Sequence, residues 1–151
     1  MTELHTEMIM AATAKRVWDV LTDFASYPQW NPLIVEASGE LVEGKKLRVR
    51  LKSGKRTVVI KPTLLRVVPN KVLTWRGSLP IPGLFAGEHS FEIDEEVPGQ
   101  VRFHHWEKFN GLLVPVLGKL LQKTKRGFEQ MNVALDRRAT ASQQSPASES
   151  R

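Results

Sequence analysis

The chain has no cysteine among its 151 residues, and this absence removes several kinds of chemistry. Without thiols there are no disulfides, no thiolate metal ligands and no cysteine nucleophile. No apolar run approaches the ~20 residues of a membrane-spanning helix. The first residues lack the basic and apolar regions of a signal peptide, so we expect a cytoplasmic protein. The chain also lacks a Gly-x-Ser-x-Gly elbow, a phosphate loop and a dinucleotide fingerprint, which argues against nucleophilic catalysis.

Acidic residues are absent from 44–87, although this stretch holds eleven of the 22 basic residues. Such a block indicates either an anionic partner or a solvated strand surface. Four of these residues alternate with apolar ones, as in a half-buried strand: Lys46, Arg48, Arg50 and Lys52. We expect these four to make at most a weak contact with an anionic membrane. Nucleic acid is not an expected partner, because the aromatic residues follow core-like patterns instead of alternating with exposed basic side chains.

Turn signals and apolar periodicity predict an α+β domain over residues 1–138, followed by a disordered tail over 139–151. Short turns between strands indicate a mostly antiparallel sheet. Pro62 has no backbone donor, so the strand around it should be bulged or at an edge. The predicted strands lie at 4–10, 33–38, 46–51, 57–68, 71–76, 88–94 and 101–109. A helix capped by the Thr13 hydroxyl is predicted to run to about residue 23, a short helical turn or rigid loop should follow at 28–32, and a long helix should span 115–138.

The hairpin around Pro98 and Gly99 carries the strongest candidate site. Alternation places His89 and Phe91 on one face of the first strand. Alternation also gives Phe103, His105 and Glu107 a common face on the second strand. Pairing across a short turn then brings His89 opposite or diagonal to Glu107, with His105 beside Phe91. We therefore predict two imidazoles and a carboxylate within one inward-facing patch.

This patch has several interpretations. In the first, the three groups form a buried hydrogen bond that joins neighbouring strands, since buried polar groups must be paired. Alternatively, His89 or His105 orients a polar group of a ligand, or exchanges protons with it under the influence of Glu107. Two histidines and a carboxylate can also bind a metal. The chain offers no third histidine at matched spacing here, and we expect neither a metal nor a cofactor.

Several segments resemble the START-like, or SRPBCC, superfamily, and specifically its polyketide cyclase/dehydrase branch. The segments that carry this resemblance are residues 17–24 (VWDVLTDF), 27–32 (YPQWNP), 87–93 (GEHSFEI), 103–113 (FHHWEKFNGLL) and 127–132 (GFEQMN). The resemblance covers roughly residues 4–138. It implies a helix-grip fold, in which a seven-stranded curved antiparallel sheet wraps around the C-terminal helix and a mostly apolar cavity. No motif for mononuclear iron or a Rieske cluster is present.

Members of this superfamily bind lipids, sterols, polyketides or plant metabolites, and a minority are enzymes. We therefore expect a monomer or homodimer that binds a small hydrophobic molecule in an internal cavity. The alternative is a cyclase or dehydratase that uses His89, His105 or Glu107 as acid–base groups. The residues expected to line the cavity are Trp30, Trp75, His89, Phe91, Phe103, His105, Glu107, Phe128 and Met131.

Overall fold

A computed structural model describes residues 2–78, 83 and 86–144 of the chain. Within these residues eight strands form two antiparallel sheets. The larger sheet has the order β1-β8-β7-β6-β5, and the smaller has the order β2-β3-β4. The strands are β1 (Thr2–Met10), β2 (Ile34–Ser38), β3 (Arg48–Ser53), β4 (Arg56–Ile60), β5 (Thr63–Val68), β6 (Val72–Ser78), β7 (Ala86–Val97) and β8 (Gln100–Asn110).

The α+β helix-grip architecture is confirmed, with one more strand than the seven predicted. The predicted strand 57–68 is two strands, β4 and β5, separated at Lys61 and Pro62. The proline ring removes a ladder donor and breaks the pairing there. The two sheets remain joined beside the break, because Leu47 N donates to the Pro62 carbonyl at 2.9 Å and Leu64 N donates to the Lys45 carbonyl at 2.9 Å.

Three α-helices accompany the sheets: α1 (Ala14–Thr22), α2 (Tyr27–Trp30) and α3 (Gly118–Gln144). The predicted Thr13 cap is confirmed, since its hydroxyl accepts from Arg16 N at 3.1 Å. The long helix was predicted at 115–138 and instead follows a 3₁₀ turn at Val114–Val116. It continues through residues 139–144, which were assigned to the tail, and Ala139 is fully buried. The rest of the predicted tail lies outside the described residues.

None of the helices in the described part of the chain is long and apolar enough to cross a membrane.

Among the residues that the structure describes, the buried apolar side chains form two clusters against the larger sheet. The main cluster joins the sheet to α1 and α3 and includes Phe103 of β8. The second cluster includes Phe109 of β8 and Leu121 of α3. His105 and Glu107 lie between Phe103 and Phe109 along β8 and share their face. The inner face of β8 therefore changes from apolar to polar and back to apolar.

Candidate functional site

The hairpin of β7 and β8 has the register that alternation predicted. His89 pairs directly with Glu107, and Phe91 pairs directly with His105. His89 is 5% exposed and His105 is completely buried, so both imidazoles face the interior. The side chain of Glu107 is 17% exposed. The sheet thus brings the three predicted polar groups together at one place.

These groups belong to a chain of hydrogen bonds that ends on α3 and β1. Glu107 Oε1 lies 3.2 Å from His89 Nδ1, and His89 Nε2 lies 2.7 Å from His105 Nε2. His105 Nδ1 lies 2.8 Å from Asn132 Oδ1. Asn132 Nδ2 donates to Thr6 Oγ1 at 2.8 Å, and Thr6 Oγ1 donates to the His105 carbonyl at 2.9 Å. The side-chain amide of Asn132 therefore ties the long helix to two strands, β1 and β8.

Thr6 fixes the direction of this chain. Its hydroxyl has one proton, which it donates to the His105 carbonyl, so Thr6 Oγ1 accepts from the amide nitrogen of Asn132. Asn132 Oδ1 then faces His105 and can only accept. If the side-chain amide of Asn132 were turned around, its Oδ1 would face Thr6. That oxygen and the His105 carbonyl would then compete for the single hydroxyl proton of Thr6. His105 consequently holds a proton on Nδ1.

Burial keeps His105 in its neutral form. Desolvation, followed by the neighbouring His89, holds the pKa of His105 well below its usual value of 6.5, although hydrogen bonds to Asn132 and to the Phe128 backbone oppose the shift. With its proton on Nδ1, neutral His105 accepts at Nε2, and His89 Nε2 must donate to it. The contact of His89 Nδ1 with Glu107 Oε1 then requires one further proton. Either His89 is cationic or Glu107 is protonated.

Aromatic rings enclose the two imidazoles. The ring of Phe128 on α3 stacks on His105 with centroids 4.1 Å apart and planes at 8°. Trp75 of β6 stacks on His89 at 5.2 Å, and Phe91 contacts His89 at 4.8 Å and His105 at 4.6 Å. Such an apolar enclosure excludes water. Each hydrogen bond inside it is therefore electrostatically stronger, and an unpaired polar group there costs more free energy.

A glycine makes room for the carboxylate at the end of the chain. Gly87 of β7 lies two residues before His89, on the same strand face. A Cβ atom at Gly87 would lie 2.2 Å from Glu107 Oε2, which is shorter than any normal contact. The missing side chain therefore leaves room for Oε2 of the carboxylate beside β7, while the other oxygen, Oε1, contacts His89.

The remaining predicted lining residues have different positions. Phe103 lies 6.2 Å from Phe91 in a stacked arrangement, and Met131 of α3 is fully buried in the main cluster. Trp30 packs edge-on against Tyr27 at 5.3 Å, on α2 and not in the ring enclosure. Tyr27 donates to the Leu21 carbonyl, and its burial, followed by nearby Asp23, raises its pKa. These contacts support an anchoring role for α2.

Sequence reasoning missed three members of the site: Thr6, Gly87 and Asn132. Thr6 is the polar residue among the inward positions of β1, between Leu4 and Met8, and this pattern was a usable signal. Asn132 adjoins the apolar stripe of α3 and is 3% exposed. Its partner could not be inferred, because periodicity alone does not determine which strand a helix residue will contact.

The fold has close structural relatives with low sequence identity. The aromatase/cyclase Zhui from Streptomyces sp. R1128 has a TM-score of 0.75 and 14% identity, over 92% of this chain and 93% of that chain. A START superfamily protein from Mycobacterium smegmatis has a TM-score of 0.71 and 21% identity, over 92% and 97%. A norcoclaurine synthase point mutant from Thalictrum flavum, in complex with a transition state analogue, has a TM-score of 0.74 and 14% identity, over 94% and 96%.

No curated protein matches the chain. The family described as "Polyketide cyclase / dehydrase and lipid transport" matches it over residues 1–140, which is nearly the whole chain. The strand register, the long helix and the structural relatives agree with this match. The chain therefore belongs to the polyketide cyclase/dehydrase and lipid transport family.

Proposed function

We propose that this protein binds a small hydrophobic molecule of the lipid, polyketide or aromatic metabolite type between the sheet and α3. The observation that carries the proposal is the partly exposed Glu107 carboxylate at the end of an otherwise buried hydrogen-bond chain. Apolar sites with a few oriented polar groups are typical of small-molecule binding. In this proposal the apolar rings bury the ligand, and Glu107 Oε2 contacts its polar group.

The division of the inner face supports a binding site at this position. Phe109 and Leu121 belong to a different apolar cluster from Trp75 and Phe91, and Glu107 lies on the strand between them. A ligand that covered both clusters would gain roughly 25 cal/mol for each Å² of apolar surface that it removes from water. We infer that the ligand lies over Glu107 and contacts both clusters.

Ligand identity can be tested by native mass spectrometry of freshly purified protein, followed by solvent extraction of the bound material. We expect an adduct of one small apolar molecule per chain, and reduced retention in Glu107→Ala. N-phenyl-1-naphthylamine, an apolar dye that fluoresces in dry sites, provides a second probe. Absence of an adduct together with non-saturable dye binding would contradict the proposal.

The second candidate function is catalysis of the cyclase or dehydratase type in the same site. One observation favours it: the His89–Glu107 contact requires a proton that can be passed to a ligand oxygen. In a dehydration this proton would move to the leaving hydroxyl group as the carbon–oxygen bond breaks, and water would depart. The neighbouring carbon would then give up a proton to the deprotonated His89–Glu107 pair, and the electrons of that carbon–hydrogen bond would form the new double bond. Two structural relatives are an aromatase/cyclase and a norcoclaurine synthase, which makes this reaction class worth testing.

Binding and catalysis can be separated with Glu107→Gln, which keeps the shape of the side chain and removes the acid. If the protein only binds, dye affinity and adduct formation change little. If it catalyses proton transfer, turnover of a candidate polyketide falls by about 10²–10⁴-fold while binding persists. Turnover that survives both Glu107→Gln and His89→Ala would exclude this version of catalysis.

A weak membrane contact is the third element of the proposal, because the family description includes lipid transport. Two exposed apolar side chains precede α3: Leu112 is 81% exposed and Val116 is 75% exposed. The stretch 108–128 around them contains five basic residues and no acidic residue. Apolar residues flanked by basic ones suit an anionic bilayer surface.

The basic strand face is the other candidate for this contact. Lys46, Arg48 and Lys52 are exposed, whereas Arg50 is bound by Glu36 at 2.8 Å. Sedimentation with phosphatidylcholine vesicles, with and without phosphatidylglycerol, can compare the two surfaces. We expect Leu112→Asn with Val116→Asn to abolish binding to the anionic vesicles, and Lys46→Gln with Arg48→Gln to reduce it less. If binding to the anionic vesicles does not weaken as the salt concentration rises, an electrostatic contact is contradicted.

A further inference from the structure

A second histidine pair lies on the opposite, outer face of the larger sheet. His5 and Glu7 belong to β1, and His104 belongs to β8. Glu7 pairs directly with His104, and His5 pairs with Trp106, so His5 is diagonal to His104. His5 and Glu7 are exposed, and His104 is half-buried. All three side chains are therefore accessible to a solute.

The donor atoms of these three side chains already converge. His5 Nε2 lies 3.1 Å from His104 Nδ1, which in turn lies 3.4 Å from Glu7 Oε2. All three donor atoms lie within 4.8 Å of one another. A tetrahedral zinc ion with ligands at about 2.0–2.1 Å separates adjacent donors by about 3.3–3.4 Å. Two of the three separations thus need to change by no more than a few tenths of an ångström.

Neighbouring side chains orient the carboxylate for this role. Arg102 Nη1 binds Glu7 Oε1 at 3.3 Å, which leaves Oε2 directed at His104. Arg102 is itself held by Glu96 at 2.5 Å. Glu92 of β7 pairs with His104 from the other side and adds a second negative charge. Outer partners of this kind fix metal ligands in position.

We propose that His5, Glu7 and His104 bind a divalent transition-metal ion of the zinc class, on a surface independent of the proposed ligand site. Imidazole and carboxylate donors select zinc, nickel or copper over magnesium and calcium. Three protein ligands leave a fourth position for water or an external donor. On binding, the imidazole that carries the shared proton moves it to its other ring nitrogen, and the metal takes the place of that proton between the two rings. The ion would link β1 to β8 through ligands from both strands.

The test is calorimetric titration of the whole chain with zinc chloride alone, at neutral pH and without a histidine tag. We expect one ion per chain, and a loss of affinity of at least about tenfold in His5→Ala and in Glu7→Gln, because each removes a direct ligand. Glu3→Gln is the matched control, since Glu3 is an exposed carboxylate two residues before His5. This control should bind zinc as the unaltered chain does.

Cobalt(II) provides a second readout, because tetrahedral coordination gives an intense visible absorption. We expect that absorption in the unaltered chain and in Glu3→Gln, and its loss in His5→Ala. The substituted positions are exposed, so circular dichroism should show an unchanged fold. Two results would overturn the proposal: no zinc binding up to millimolar concentration, or a His5→Ala variant that binds as tightly as the unaltered chain.

Discussion

His104 and His105 are neighbours in the chain and experience opposite environments. Each contacts a second histidine: His104 contacts His5 at 3.1 Å on the outer face, and His105 contacts His89 at 2.7 Å on the inner face. The outer pair is open to solvent and the inner pair is enclosed by aromatic rings. Strand alternation alone separates them. The comparison teaches that burial, and not residue type, decides whether a histidine pair holds a fixed proton or remains open to exchange with solutes.

The largest expected effect is a loss of stability when His105 is replaced by leucine, a residue of similar size. The same replacement of His104 serves as the comparison. His105→Leu leaves two buried atoms, Asn132 Oδ1 and His89 Nε2, without the partner that His105 provides, and should lower the free energy of unfolding by about 2–4 kcal/mol. His104→Leu removes only surface contacts and should change it by less than about 0.5 kcal/mol. Urea unfolding of both variants measures the difference. Equal losses at the two positions would show that the buried chain does not stabilise the fold.

The buried His105 should also make the free energy of unfolding depend on pH. The pKa of His105 is depressed in the folded state, so below about pH 6.5 the unfolded chain binds a proton that the folded chain does not. The free energy of unfolding then decreases as the pH falls, by up to about 1.4 kcal/mol per pH unit.

Residue 105 in His105→Leu does not titrate, so this variant lacks that contribution. The stability gap between the unaltered chain and His105→Leu should therefore narrow as the pH falls from 7 towards 5. Urea unfolding of both chains at several pH values provides the measurement. If the difference in the free energy of unfolding between the two chains stays constant or widens as the pH falls, the depressed pKa of His105 is contradicted.

A smaller effect should distinguish two glycines that face each other across β6 and β7. Gly77 pairs with Gly87. Gly87→Ala forces the Glu107 carboxylate away from its position and should cost about 1 kcal/mol. A Cβ atom at Gly77 would meet nothing closer than 3.8 Å, so Gly77→Ala should be neutral or slightly stabilising. Thermal unfolding compares the two, and equal effects would mean that Gly87 has no special relation to Glu107.

The fold and half of the inner site could be predicted from sequence, for identifiable reasons. Alternation along β7 and β8, with a short turn between them, determined which residues pair, and His89 opposite Glu107 followed. The division at Pro62 was foreseen only as an irregularity, because a missing donor does not reveal whether a strand bends or ends. Asn132 and Thr6 meet across 126 residues, and no local pattern determines how α3 packs on β1.

The protonation of His105 tests the central claim most directly, because the whole hydrogen-bond chain depends on it. Nitrogen-15 NMR spectra of the imidazoles at neutral pH distinguish a neutral ring with its proton on Nδ1 from one with its proton on Nε2, and both from a cation. The account predicts a neutral His105 with its proton on Nδ1, donating to Asn132. A proton on Nε2, or a charged ring, would reverse or break the chain and contradict the proton assigned to the His89–Glu107 contact.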